Sequence, residues 1–380
     1  MKKLIALLLA LAMAFALVAC GSSNNTPAAT DDGSASGSPA DTSGDASGDT
    51  AGDASGSDID PLTIKFSSTY QETETGGVIQ KYFIDKLAEL SGGAIDVDIT
   101  WGGTLFDSAG ELDAVMDGVV DMVSLGHMPH LDTLPYLSFP GFAPGNTQTA
   151  LDYFNTLIFD DPDTSALIQG EAEQNGIKYL NVIAGGANAF CTKYSFTDLA
   201  SLVSGSSAFG NFDAAIFESL GFQVTAVTPS ETYESLDRGL IDGTQMALAP
   251  MLAMAWYEVA PYWCLDGTYT AGNFFTVNLD WWDGLTAAQQ ECIQAACDAT
   301  EDYSATLYDD AIASDVATIE EATGNKFVEL SDADISTFWA ACFEAKAADA
   351  MNRAETHNVS DGMRTILEKA AEITGYDWEG

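Results

Sequence analysis

Basic side chains are scarce: the 380-residue chain carries 13 Lys and Arg against 57 Asp and Glu, a formal net charge of −44. Binding phosphate needs clustered Lys and Arg, so nucleic acid is excluded as a partner. An anionic lipid surface is disfavoured for the same reason. Such a chain repels small anions and attracts cations, within the roughly 8–10 Å that physiological salt leaves unscreened. Cysteine is sparse and irregularly spaced. Apart from Cys20 there are Cys191, Cys264, Cys292, Cys297 and Cys342, with no C-x-x-C, so neither a zinc knuckle nor a disulfide framework is indicated. Cys292 and Cys297 lie in a helical stretch at a spacing that suits no mutual bridge. Most of these thiols read as small buried apolar residues; a single disulfide stays open, with its partners unassigned. G-x-S-x-G, H-E-x-x-H and Walker-type runs are missing, so no catalytic residue and no cofactor is expected. His127 and His130 are spaced to share a metal, but Pro129 breaks any helix there and no third ligand is near, so no metal is assigned. Beyond the N-terminus no apolar run is long enough to cross a membrane.

One apolar run does stand at the start. Lys2 and Lys3 precede Leu4 to Ala19, which ends in Leu17-Val18-Ala19-Cys20. A short positive region, an apolar core and a small-residue cleavage site make an export signal over residues 1–19. A Cys directly after Leu-x-Ala is the pattern of a bacterial lipoprotein, with Cys20 lipidated as the mature N-terminus. Two or three acyl chains hold such a protein on a membrane, at roughly 0.8 kcal/mol per buried methylene. Residues 20–60 then read as a tether: Ser, Gly, Ala, Asp and Thr without an aromatic, too poor in apolar surface to offset ordering entropy. Its span is roughly 35 Å by square-root scaling. The expected location is the outer face of the cytoplasmic membrane.

The remaining residues alternate between strand and helix patterns, which predicts an α/β protein with parallel strands. Leu62–Phe66, Ile95–Ile99, Asp121–Leu125, Lys178–Val182 and Phe327–Leu330 read as strands. A helix carries Val78, Ile79, Phe83 and Leu87 on one face and stops at Gly92-Gly93; another surrounds Leu112, Val115 and Met116, and a third covers Asp213 to Gly221. Thr286-Ala287-Ala288-Gln289 is a capping box that opens a long helix reaching Thr323, with Gly324 as its stop. Ser331 to Asp334 begins a further helix, and nothing repeats.

Ser230-Glu231-Thr232-Tyr233-Glu234-Ser235-Leu236-Asp237-Arg238-Gly239-Leu240-Ile241-Asp242-Gly243 resembles the "S-E-V-Y-x-A-L-Q-x-G-x-V-D-G" segment of TRAP (tripartite ATP-independent periplasmic) transporter solute-binding proteins. Ser230 suits a helix cap there, with Tyr233 and Leu236 on one face and Gly239 as the end. Gly103 to Met122 resembles the family's "G-x-L-G… L-x-x-G-x-x-D-M" stretch. Trp256-Tyr257-Glu258-Val259 resembles "K-F-Y-E-V", and Val277 to Gln290 resembles "V-N-x-x-x-W-x-x-L-P-x-x-Q-Q". In order and spacing the resemblance covers nearly all of 61–380. It implies a two-domain fold of the periplasmic-binding-protein type, with a ligand cleft and a long domain-spanning helix. Residues 61–187 with 278–318 would form domain I, and 188–277 with 319–380 domain II. It further implies a monomeric receptor that closes on a small-molecule solute and delivers it to the integral membrane subunits of a TRAP permease. An ABC-type binding lipoprotein, a ligand sensor and a secreted hydrolase with paired carboxylates stay open as alternatives.

The departures from the family pattern bear on the solute. Acid-binding members usually place an Arg in an "L-K-x-R-V" strand, where its fork pairs with a carboxylate. The matching stretch, Leu202 to Phe212, has none, and Gly205 to Ser207 occupy the position. A second family Arg falls near Asn188, and "G-Q-E-N" becomes Gly243-Thr244-Gln245-Met246. Lys193 is the nearest substitute cation. An unpaired carboxylate buried in such a cleft would be unfavourable by several kcal/mol, so the resemblance with these losses points to a neutral or cationic solute. Candidate apolar walls are Tyr70, Phe190, Phe209, Phe212 and Tyr233. Candidate polar contacts are Ser68, Thr69, His127, Asn188, Ser206, Ser207, Asn211 and Gln245.

Overall fold

The computed structural model describes residues 59–126, 128–211 and 213–380. The export signal, Cys20, the tether up to residue 58, His127 and Phe212 lie outside the described residues.

The described residues form a nine-stranded sheet. Its strands are β1 (Leu62–Ser67), β2 (Ile95–Thr100), β3 (Met122–Leu125), β4 (Phe142–Pro144), β5 (Ile177–Thr192), β6 (Phe209–Gly210), β7 (Val224–Thr225), β8 (Gly243–Ala247) and β9 (Tyr262–Asn278). Their order is β2-β1-β3-β9-β5-β8-β6-β7, with β4 paired to β9. The expectation of parallel strands holds at both ends, where β1 pairs with β2 and β3 and where β6 pairs with β7 and β8. It fails in the middle: β5 and β9 are long antiparallel partners, and β3 and β8 join them antiparallel from either side. The period of single strands cannot show this, because a 16-residue strand buried throughout looks like two short apolar runs. The β5–β9 ladder shifts register four times between Tyr179 and Ala189. Gly272 sits opposite that irregular stretch, and a Cβ there would lie 2.6 Å from the Ala184 carbonyl oxygen, so only glycine lets the two strands approach.

The helices follow their sequence signals closely. Thr75–Ser91 buries Ile79, Phe83 and Leu87 at intervals of four and ends on Gly92 in the left-handed region, φ 62°. The helix Ala287–Thr323 runs 37 residues without Gly or Pro, about 55 Å at 1.5 Å per residue. Thr286 and Gln289 form its capping box, and Gly324 stops it at φ 71°. Ser331 caps Asp332–His357 reciprocally with Asp334. Two readings are corrected. The cap of Pro229–Asp237 is Thr228, not Ser230: Pro229 takes the first helical position, and the Glu231 carboxylate accepts from the Thr228 amide and hydroxyl. Phe327–Leu330 is not a strand; it runs extended along β9 with a backbone bond from Val328 to Trp263 (2.8 Å), too little for a ladder. The open question of a disulfide is settled as well, since Cys191, Cys264, Cys292, Cys297 and Cys342 are all free and buried.

Candidate functional site

A cavity of about 430 Å³ opens where β5, β8 and β9 meet the segment 137–142 and the helix Asp332–His357. Its apolar wall comes from Leu137, Phe139, Phe142, Ile216, Phe217 and Met246. Its polar groups are Ser138, Asn188, Asn211, Gln245, Thr270 and Asn273, and its charged groups are Asp213, Lys346 and Asp349. Antiparallel pairing explains part of the convergence: Asn188 lies opposite Ala247, and Phe190 opposite Gln245. The strand ends therefore deliver polar side chains from distant sequence to one face.

Three of the sequence candidates, Asn188, Asn211 and Gln245, line this cavity. Asn211 is committed at both ends, donating to the Gln245 carbonyl at 3.0 Å and accepting from the Asp213 amide at 2.8 Å, so it shapes the wall. Tyr70 stands near Asn273, which lines the cavity; burial, then the nearby Glu111 and Glu74 carboxylates, push its phenol upward. Ser68 and Thr69 belong to the same loop. Ser68 is buried and accepts from the Tyr70 amide at 3.1 Å, while Gly102 and Gly103 brace the loop by backbone bonds to Tyr70 and Ser68.

Other candidates stand elsewhere. Phe190 and Phe209 are fully buried in an aromatic cluster with Phe217, Phe222 and Phe338, with ring centroids 4.3–6.4 Å apart. Ser206 and Ser207 lie in the turn before β6 and bind the Asp242 carboxylate: Ser206 Oγ at 2.7 Å, and the Ser207 amide and hydroxyl at 2.6 Å each. Tyr233 donates to Glu258 at 2.8 Å beside a separate open surface hollow with Met254 and Trp256. Lys193 donates to the Leu236 and Asp237 carbonyls that close the Pro229–Asp237 helix.

The charged members of the cavity were not found from the sequence. Lys346 pairs with Asp213, both side chains about a quarter exposed, and Asp349 follows one turn later on the same helix, 3.8 Å from Arg353. The one signal available was scarcity, since any cation in so acidic a chain invites a question about its partner. Behind the polar floor lies Asp266, with no exposure to solvent. Burial raises its carboxyl to about 6, against hydrogen bonds from Gln245 and Thr268 that hold it down.

Comparison with known proteins matches this architecture. The model of the family DctP, bacterial extracellular solute-binding protein family 7, covers residues 66–350. The chain belongs to that family. Its members of known structure are two-domain TRAP receptors with a ligand cleft, and the family role is to bind small solutes outside the cytoplasm and hand them to a TRAP membrane permease. Among relatives, a solute-binding protein of Roseobacter denitrificans is 24% identical over 315 residues, 81% of this chain and 90% of that protein. The ectoine/5-hydroxyectoine-binding periplasmic protein UehA of Ruegeria pomeroyi is 25% identical over 64% of this chain and 73% of its own length. In structure, the apo form of TeaA, the ectoine-binding protein of Halomonas elongata, superposes with a TM-score of 0.68 at 16% identity, covering 82% of this chain and 99% of that one. Among the described residues no helix is long and apolar enough to span a membrane.

Proposed function

We propose that this TRAP receptor takes a neutral or cationic solute in the cavity beside β5, β8 and β9. One observation carries the reading: the cavity's lysine, Lys346, is already paired with Asp213, and no arginine lines the wall. A carboxylate solute reaching Lys346 would exchange one carboxylate for another and leave Asp213 unpaired beside it, with little net gain. A cation reaching Asp213 would have to share it with Lys346, but Asp349, whose one ion-pair partner among the described residues is Arg353 at 3.8 Å, adds a second acid to the wall. A neutral solute uses the amides and the apolar wall without meeting an unpaired charge.

Its relatives include ectoine-binding proteins and the C4-dicarboxylate-binding protein DctP of Rhodobacter capsulatus. The cavity of this chain holds one lysine and no arginine. Residues 61–187 with 278–318 and 188–277 with 319–380 act as the two closing domains, since both supply walls to the cavity, and ligand contact with both favours the closed state. The chain works as a monomer held by a lipid on Cys20, a reading carried by the sequence motif alone; replacing Cys20 with Ser should release the protein from membranes.

The test is a thermal-shift screen of the purified protein against organic acids, polyols, sugars and amines at millimolar concentration. Binding to the native state alone raises the melting temperature according to RT ln(1 + [L]/Kd). Stabilisation by a neutral or cationic compound is expected. Tight binding of carboxylates alone would refute the reading of the wall while leaving the receptor role in place.

A further inference from the structure

The cavity floor has a direction. Asp266 is fully buried on β9, and both of its oxygens accept hydrogen bonds. Oδ2 accepts from Gln245 Nε2 at 2.6 Å; Oδ1 accepts from the Thr268 amide at 2.8 Å and from the Thr268 hydroxyl at 2.7 Å. Because that hydroxyl spends its one hydrogen on the carboxylate, it can only accept from its other neighbour, and Asn188 Nδ2 donates to it at 3.0 Å. A carboxylate has only acceptors, so it dictates which end of each amide turns inward. The Gln245 nitrogen meets Asp266 directly and the Asn188 nitrogen meets the Thr268 hydroxyl that Asp266 holds, so neither amide oxygen takes part in this network.

Those oxygens are left without a partner. Among the described residues no donor meets Gln245 Oε1 or Asn188 Oδ1, and neither atom is a sealed orphan, whereas eleven other buried side-chain atoms are. Both residues line the cavity, where two of the three charged wall groups, Asp213 and Asp349, are acceptors too, and the third, Lys346, is paired with Asp213. An unmatched acceptor rejects an acceptor and rewards a donor, because a polar group left unpaired on binding forfeits its hydration.

We propose that Asp266 is the specificity-determining residue of this receptor: it turns the acceptor ends of Gln245 and Asn188 toward the solute and selects a protonated amine over the carboxylate or alcohol of the same skeleton. This rests on the solute-receptor reading above and narrows it to one chemical class. The apolar wall, with Phe139, Phe142 and Phe217 in its lining, suits the hydrocarbon part of such a solute.

Matched probes test it: butane-1,4-diamine, butane-1,4-diol and succinate, with benzylamine, benzyl alcohol and benzoate, titrated calorimetrically into the wild type and two variants. The wild type should bind at least one amine and prefer it to its matched alcohol and acid. Asp266→Asn supplies a donor where there was an acceptor and frees both amides to turn. It should weaken the amine by about tenfold to a hundredfold, the effect of one hydrogen bond to a charged group, and narrow its preference over the acid. Thr268→Val cuts the relay to Asn188 and keeps Asp266 on Gln245, so it should show a smaller loss of the same kind, about threefold to tenfold; it decides alone if Asp266→Asn does not fold. Preference for the alcohols overturns this inference and leaves the receptor reading standing. Preference for the acids overturns this inference and the neutral-or-cationic reading together. Folded variants that keep the wild-type preference overturn the role of Asp266. No binding by any of the six to the wild type overturns the amine assignment.

Discussion

Replacing Glu171 with Gln should change how stability depends on pH. Glu171 lies on the helix Pro162–Gln174, is 8% exposed, and forms no ion pair among the described residues. Its carboxyl oxygens stand 3.2 and 3.1 Å from the Tyr136 amide, at the turn that carries Leu137 and Ser138 into the cavity. Burial raises its carboxyl from 4.5 to about 8, opposed by that single amide bond. A raised carboxyl means that the folded state holds the proton more tightly than the unfolded state does. The stabilisation is therefore complete below about 4.5 and is lost as pH rises through about 8. At about 1.4 kcal/mol per pH unit the window sets a ceiling near 5 kcal/mol; local hydration of the ionised group should reduce this to about 2–4 kcal/mol. Gln keeps an acceptor for the Tyr136 amide and cannot ionise. Urea unfolding of both proteins at each pH from 5 to 9 measures the difference, and the ionisation of Glu111, Glu301 and Asp266 cancels because both proteins share it. The variant should gain on the wild type between pH 5 and about 8 and level off above that. A difference that stays flat across that range refutes the account of Glu171 as a buried carboxyl.

Three further outcomes follow from the packing. Gly272→Ala should destabilise by about 1–3 kcal/mol in chemical denaturation, because its Cβ would press on the Ala184 carbonyl at 2.6 Å within a backbone ladder that cannot yield as a side chain would. Thr286→Ala should lower stability by about 0.5–2 kcal/mol through loss of the cap on the long helix, with most of it restored by Ser. The five thiols from Cys191 to Cys342 should react with a thiol reagent only on unfolding, since all five are buried and burial raises each thiol above its ordinary range; rapid modification of the native protein would contradict that burial.

The helices were legible because their signals are local. Thr286 with Gln289, Gly324, Gly92 and Ser331 each act within one turn of chain, and each appears in the structure in its expected role. The central strands were legible only in pieces. Lys178–Val182 is one end of a strand that continues through Gly185-Gly186 to Thr192, and the glycines that look like a break are where β5 and β9 bulge past each other. Ser230 looks like a cap in the sequence because the true cap stands behind Pro229, a residue that fits the first helical turn as well as it fits a loop. At the site, Asn188, Asn211 and Gln245 were reached through their place in a familiar pattern. Lys346 and Asp213 were not, because they are brought together across 133 positions by the packing of a C-terminal helix, which leaves no local trace. The aromatic candidates illustrate a different limit. Composition cannot say whether Phe190 faces a ligand or another phenylalanine, and here it faces four.

The scarcity of basic residues and the chemistry of the cavity are connected. In a chain with 57 carboxylates and 13 cationic side chains, a lysine is rarely far from an acid, and the Asp213 beside Lys346 is the local case of that rule. Selecting an anion would require a cation held apart from every acid, by burial or by geometry, against the surrounding field. Selecting a donor requires less. A buried acid such as Asp266 need only be kept out of the ligand's reach while neutral amides carry its preference to the surface of the cavity, so the polarity of the site is set at a distance of one side chain and no free charge has to be desolvated by the solute. On that account the absence of arginine from the cavity wall and the presence of Asp266 behind it act together. Restoring an arginine at Asn188 while Asp266 remains should give an internal ion pair and no better recognition of carboxylates.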